Sequence, residues 1–395
     1  MKKNLFMTAA AIAALLTGCS TDEEIANIET SAKNAIGFNI VSNSAETKAT
    51  IYGEGSTNFD FDVFAFDNSG NYFMGKEGNH GYSQNEDNTV THDGVQITNK
   101  NNKWDYMNPA ELAYWPTNSL DFYAVSPTNF DVASLFMFYS WSIKPNTKTI
   151  TYTTTDEFSN GTKNLDVMYA VAKEQTKDKK QGVVQLNFKH TLSQVLFKAK
   201  VQYESMEVTI NEMKIYNFAH GGTFTIPEGE PAQKDWSGVN PAGGAYTVKK
   251  KGLDISASTT KTEKAVWITP KADPMLFIPQ QLTKWATTPE TAVSIETAKT
   301  NKHSFLEITM KLTQNRQYLI GTESSYQTIY VPFTNVDATA TTGWEPGKRY
   351  IYTLTFGGGY DKNGNPILTP ITFEPTVEDW KDIAGYAPEV PAYTN

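Results

Sequence analysis

One cysteine stands in 395 residues, so no internal disulfide can form and the fold must be held by packing alone. Arginine is nearly absent: Arg316 and Arg349 are the only two in a joint lysine and arginine count of 34. A net charge of −9 argues against a nucleic-acid partner. The five histidines, His80, His92, His190, His220 and His303, are scattered without metal-ligand spacing. His92-Asp93 and His190 with Ser193 lack an elbow motif and a third partner, and they read as structural polar residues. Residues 361–365, DKNGN, start like a calcium loop, but Pro366 stands where the loop needs glycine and Thr372 where it needs glutamate. They read better as a hairpin turn at Asn363-Gly364. Three glycines at 357–359 precede no helix pattern and make no phosphate loop. No catalytic residue, metal site or cofactor is expected, and the chain does not read as an enzyme.

Long apolar runs are missing too. The run from Leu5 to Leu16 is too short to span a bilayer core of about 30 Å. It follows Lys2 and Lys3 and ends in small residues, so residues 1–18 read as an export signal. Its end, Leu16-Thr17-Gly18-Cys19, resembles the lipobox of bacterial lipoproteins. In that family the cysteine thiol is acylated, the chain is cut before it, and the new amino group is acylated as well. Only cysteine supplies the sulfur nucleophile, and several acyl chains anchor stably where one is marginal. The resemblance implies lipidation at Cys19 and attachment to outer-membrane lipid; the other reading is an ordinary secretory signal with a chance cysteine. The acidic stretch Ser20 to Glu24 resembles the surface-export signal of lipoproteins in some Gram-negative anaerobes, or else is a solvated tether within residues 19–35.

What the chain has in quantity is aromatic residues: 20 Tyr, 21 Phe and 8 Trp, which favour strands. Short alternating runs recur: DFDVFAFD, SLDFYAVSP, NLDVMYAVA, VVQLNFKH, QVLFKAKVQY, MEVTINEMKIYNF, FLEITMKL and RYIYTLTF. Gly, Pro, Asn, Asp and Thr separate them, as in antiparallel β-sandwiches. In DFDVFAFD, Phe61, Val63 and Ala65 share one face, yet Phe64 and Phe66 make the other face apolar as well. The length suggests two domains of ordinary size. The polar stretch KEQTKDKKQG at 173–182 reads as the junction between an N-terminal sandwich (36–172) and a C-terminal one (183–395). Its other reading is a long hairpin loop within one sheet. No internal repeat is clear.

WDYMNPAELAYWPTNSLDFYAVSP, with its Tyr-Trp-Pro before an aromatic strand ending in Ser-Pro, resembles a stretch of the fimbrillin family. NLDVMYA, VVQLNFKHTLSQVLFKAKV, GGTFTI, DPMLFIPQQL, WEPGKRYIYTLTF and ITFEPTVEDW resemble later blocks of that family, in order. The family comprises subunits, tips and anchors of type V pili, made as lipoproteins. The resemblance implies an all-β fold of two transthyretin-like antiparallel β-sandwich domains in tandem.

It also implies assembly with other pilin subunits by strand donation. An N-terminal strand fills the sandwich until a trypsin-like surface protease removes it, and a neighbour's strand then enters the groove. Here NAIGFNI supplies the removable strand, with Ile36, Phe38 and Ile40 alternating on one side. Lys48-Ala49 supplies the processing site, with lysine where the family commonly has arginine. The alternative is a permanent edge strand and an ordinary surface lysine. Ile371, Phe373 and Val377 near the C-terminus form the candidate donor strand, interrupted by Pro375, which suits an edge or a strand that moves. Stalk and tip positions both stay open. A second function, a monomeric outer-membrane lipoprotein binding glycans or host ligands, would use Trp104, Tyr106, Tyr114 and Trp115 as a platform; those side chains fit a core equally well.

Overall fold

A computed structural model describes residues 34–40, 60–78, 81–84, 90–100, 103–128, 139–154, 165–239, 244–249, 255–258, 265–269, 275–287, 293–333, 343–368 and 372–379. Nearly every regular element among them is a strand. The doubly apolar run is the key to the first half. Every residue of strand Asp60–Phe66 is buried. Phe61, Val63 and Ala65 enter one core, while Phe64 and Phe66 enter a second on the opposite face. A strand loses its alternation when its sheet is covered on both sides, and this one is.

That sheet runs in the order Lys189–His190, Met168–Gln175, Leu120–Ser126, Asp60–Phe66, Val95–Lys100, Lys103–Tyr106, with Tyr72–Met74 also paired to Asp60–Phe66. Over the Phe64 face lies a four-stranded sheet of Trp236–Ser237, Gly221–Thr225, Lys148–Thr153 and Tyr139–Ile143. Over the Phe61 face lie, among the described residues, two strands, Gly37–Ile40 and Val183–Leu186. The second half is a sandwich of a five-stranded and an eight-stranded sheet around Phe197, Met213, Phe277, Ile308, Trp344 and Tyr352. Its five-stranded sheet places Ser193–Val201 beside Lys348–Phe356 and ends on Thr372–Asp379.

Two features depart from the local reading. Gly37–Ile40 pairs with Val183–Leu186 in parallel, and so does Ser193–Val201 with Lys348–Phe356; the expected sheets were antiparallel throughout. Parallel neighbours need a long connection, so the partners lie far apart in sequence and leave no hairpin signal. The strand pairing of the first half also runs past the polar stretch at 173–182. Val183–Leu186 completes the layer beside Gly37–Ile40, and Gly221–Thr225 pairs with Lys148–Thr153.

A repeat hidden in the sequence appears as a turn. In DNSGN (67–71), Asp67 Oδ1 accepts from the backbone nitrogens of Ser69 and Asn71 at 2.8 and 2.9 Å. In DKNGN (361–365), Asp361 Oδ1 accepts from those of Asn363 and Asn365 at 2.8 and 2.9 Å. Gly70 and Gly364 take the matching left-handed conformation, at φ 81° and 84°. The aspartate organises a hairpin in each half. The helix Ile295–Thr300, capped by Ser294, is one apolar turn against Trp285 and Phe305. No helix among the described residues is long and apolar enough to cross a membrane.

Candidate functional site

The layer over Phe61 is thin, and the N-terminal strand supplies half of it. Ile36 and Phe38 are buried, and Ile40 packs partly buried against the same core. The Phe38 ring is held in an aromatic cage, with centroids 6.3 Å from Phe61, 5.9 Å from Tyr106 and 6.0 Å from Phe122. Alternation thus sends the three side chains inward, as their spacing suggests. Between Ile36 and Phe38, a Cβ on Gly37 would lie 3.3 Å from Val183 Cγ2, so glycine lets the two strands sit close.

Backbone bonds hold the strand's entry. The nitrogen of Ile36 donates to the Ala113 carbonyl at 2.9 Å, and that of Trp115 to the Asn34 carbonyl at 2.9 Å. The Tyr106 hydroxyl donates to the Ile36 carbonyl at 3.0 Å. Burial holds that phenol above its ordinary pKa, so it keeps its proton and stays a donor across the physiological range. Beyond Gly37 the strand has one ladder partner among the described residues, Val183–Leu186. Beside it runs an open cleft of about 760 Å³ lined by Phe38, Trp104, Leu112 and Gln181. A four-residue strand with one partner and an open flank is a low-stability unit attached to a rigid sheet.

The candidate donor lies on the other half. Thr372–Asp379 pairs antiparallel with Lys348–Phe356 as the edge of its sheet, with Phe373 opposite Leu354 and Val377 opposite Tyr350. Pro375 therefore sits on an edge, where a missing N–H is tolerated. Cys19, Lys48, Ala49 and Ile371, with the signal at 1–18 and the tail from 380, lie outside the described residues.

The aromatic platform disperses into the core. Tyr106 is buried, Trp104 packs on Phe61 at 5.4 Å, and Trp115 meets Phe122 edge-on at 5.8 Å; Tyr114 is exposed. The histidine pairs suggested by sequence are replaced by others. His92 Nδ1 lies 3.0 Å from Asp62 Oδ2, and His190 Nδ1 lies 2.9 Å from Asp166 Oδ1. The Ser193 hydroxyl donates to the Glu345 carbonyl at 2.8 Å. Burial pushes the Asp62 carboxyl up, although the His92 bond pulls it partly back. Burial alone would lower His92, but the bond and charge of Asp62, with Asp93 and Glu111 nearby, leave it raised. Asp62 and Asp166 were not legible as partners because the fold, not sequence proximity, brings them to the histidines. No group of three His, Cys, Asp or Glu among the described residues could hold a metal ion.

Comparison with known proteins places this architecture. A family model described as fimbrillin-like matches residues 47–380. A fimbrial protein from Bacteroides vulgatus is similar in structure at 16% identity, covering 88% of this chain and 100% of its own, with a TM-score of 0.54. A C-terminally truncated tip fimbrial protein from Porphyromonas gingivalis covers 88% of this chain and 100% of its own at 9% identity, with a TM-score of 0.42. No curated protein matches the chain. At this identity the first likeness is one of fold.

Proposed function

The chain belongs to the fimbrillin-like family, and on that premise we propose that it is a structural subunit of a type V pilus that assembles by strand exchange. The protein is exported on its signal, lipidated at Cys19 and held at the outer-membrane surface. A trypsin-like protease cuts after Lys48, the segment carrying Ile36, Phe38 and Ile40 leaves, and a strand from another subunit takes its seat. Thr372–Asp379, with Ile371 before it, is the strand this chain offers in turn. The product is a surface fimbria that mediates adhesion.

One observation supports this reading above the others: the aromatic cage of Phe61, Tyr106 and Phe122 is filled by an N-terminal strand with one ladder partner among the described residues. Backbone pairing plus two or three alternating apolar side chains is what strand addition requires. Limited trypsin digestion of the signal-free protein tests the proposal. The expected result is an early product beginning at Ala49 that elutes as oligomers after incubation. A protein uncut at that bond, or cut and still monomeric, would instead fit a monomeric surface lipoprotein.

A further inference from the structure

Between Met168–Gln175 and Val183–Leu186 the backbone takes the left-handed conformation at three consecutive residues: Lys180 at φ 49°, Gln181 at φ 57° and Gly182 at φ 79°. Glycine adopts it freely, but lysine and glutamine do not. Each such L-residue is disfavoured by roughly five- to thirty-fold in population. Their side chains recover little of this, because Lys180 and Gln181 are both exposed. The Val183 nitrogen closes the turn on the Lys180 carbonyl, and contacts from outside add to that.

The outside contacts come from Trp115, which also bonds the N-terminal segment, and from that segment's pairing with Val183. Trp115 Nε1 donates to the Gly182 carbonyl at 2.9 Å, and a Cβ on Gly182 would lie 3.0 Å from that same nitrogen. The backbone nitrogen of Trp115 donates to Asn34. Lys177 Nζ donates to Asn34 Oδ1. Immediately after the turn, Val183 is paired to Gly37. The exit of the turn is therefore fastened to the entry of the strand, at Gly182 through Trp115 and Asn34 and at Val183 through Gly37.

We propose that Lys180–Gln181–Gly182 is a strained clasp that lowers the hold of the fold on strand Gly37–Ile40 and so promotes its exchange. The inference rests on the pilus reading above. While the strand is seated, its contacts keep the turn left-handed; when it leaves, the turn relaxes. The strain is charged against the seated strand and poises it for replacement. Observed strain at a position that its surroundings over-determine is the physical sign of such a device.

The test is amide hydrogen exchange on the full chain at Ile36 and Trp115, whose nitrogens bond across the strand's entry. The double variant Lys180→Gly/Gln181→Gly removes the strain and is expected to slow exchange at both amides by about tenfold or more. The double variant Lys180→Ala/Gln181→Ala removes the same side chains but keeps the strain, and it is expected to leave both rates within about twofold of the original. Unchanged or faster exchange in the glycine variant overturns the clasp. Equal slowing in both variants does so as well, because it assigns the effect to the lost side chains. Slowing confined to the glycine variant, in a protein that fails to assemble once its N-terminal segment is gone, keeps the clasp and rejects the pilus reading.

Discussion

The Tyr106 hydroxyl donates to the Ile36 carbonyl at 3.0 Å, while its ring lies tilted against that of Phe38, two residues along, at 5.9 Å. One side chain thus ties the entry of the N-terminal strand and walls its main pocket. Tyr106→Phe keeps the wall and deletes the donor, leaving a buried carbonyl short of a partner. The expected loss is about 1–3 kcal/mol. Hydrogen exchange at Ile36 should rise by the corresponding factor while amides of the second sandwich stay unchanged.

Phe38→Ala empties the aromatic cage, and the cage lies on a sheet that cannot collapse to fill it. Removing a buried phenylalanine typically costs about 3–5 kcal/mol. The full value is not expected here, because a strand with one ladder partner among the described residues detaches before the sheet yields. Urea unfolding should show a minor early transition, with a tryptophan fluorescence change, ahead of the main one. A single transition shifted as a whole would mean that the strand is an integral part of the core.

The buried pair His92 and Asp62 sets a pH dependence with a definite sign. The folded His92 pKa lies above its ordinary 6.5, so its stabilising contribution is full below that value and is lost as pH rises through the folded pKa. The folded Asp62 pKa is also raised, from 3.8, so its ionisation on the alkaline side likewise costs stability. Both act in one direction. The denaturation midpoint should fall between pH 6 and pH 8, and His92→Gln should flatten that slope. A midpoint that rises over this interval contradicts the assignment.

Asp361 organises its turn. Its Oδ1 accepts the Asn363 and Asn365 amides, and Oδ2 accepts Asn365 Nδ2 at 3.0 Å. The Asn365 side-chain bond, with the backbone bonds beside it, holds the carboxyl below its ordinary range. Asp361→Ala should speed exchange at the amides of Asn363 and Asn365 several-fold, and millimolar calcium should alter neither rate in the original protein. Calcium protection of these amides would restore the metal-loop reading.

Much of the fold was legible because it is local. The alternating runs from Leu120 to Phe356 formed strands near their expected bounds, and Asn363-Gly364 made its hairpin. Phe64 and Phe66 were a legible anomaly whose cause, a sheet covered on both faces, needed the third dimension. The pairing of Gly37–Ile40 with Val183–Leu186, and of Lys148–Thr153 with Gly221–Thr225, was not legible, because neither partner carries a mark of the other. For the site, the inward set Ile36, Phe38 and Ile40 could be read from spacing alone. The cage of Phe61, Tyr106 and Phe122 could not, since those residues come from three separate strands. The repeated D-x-x-G-N turn stood in the sequence, but only its matched hydrogen bonds made five residues a signal.

Competition shows whether the strand in the Phe61 groove is replaceable. Protein cut after Lys48 would be incubated with an excess of a synthetic peptide of residues 34–40, NAIGFNI, and its assembly followed by size-exclusion chromatography. The peptide should suppress oligomers in proportion to its concentration, and a peptide with Ile36 and Phe38 replaced by serine should have no effect. Oligomers that form equally well with both peptides would contradict it.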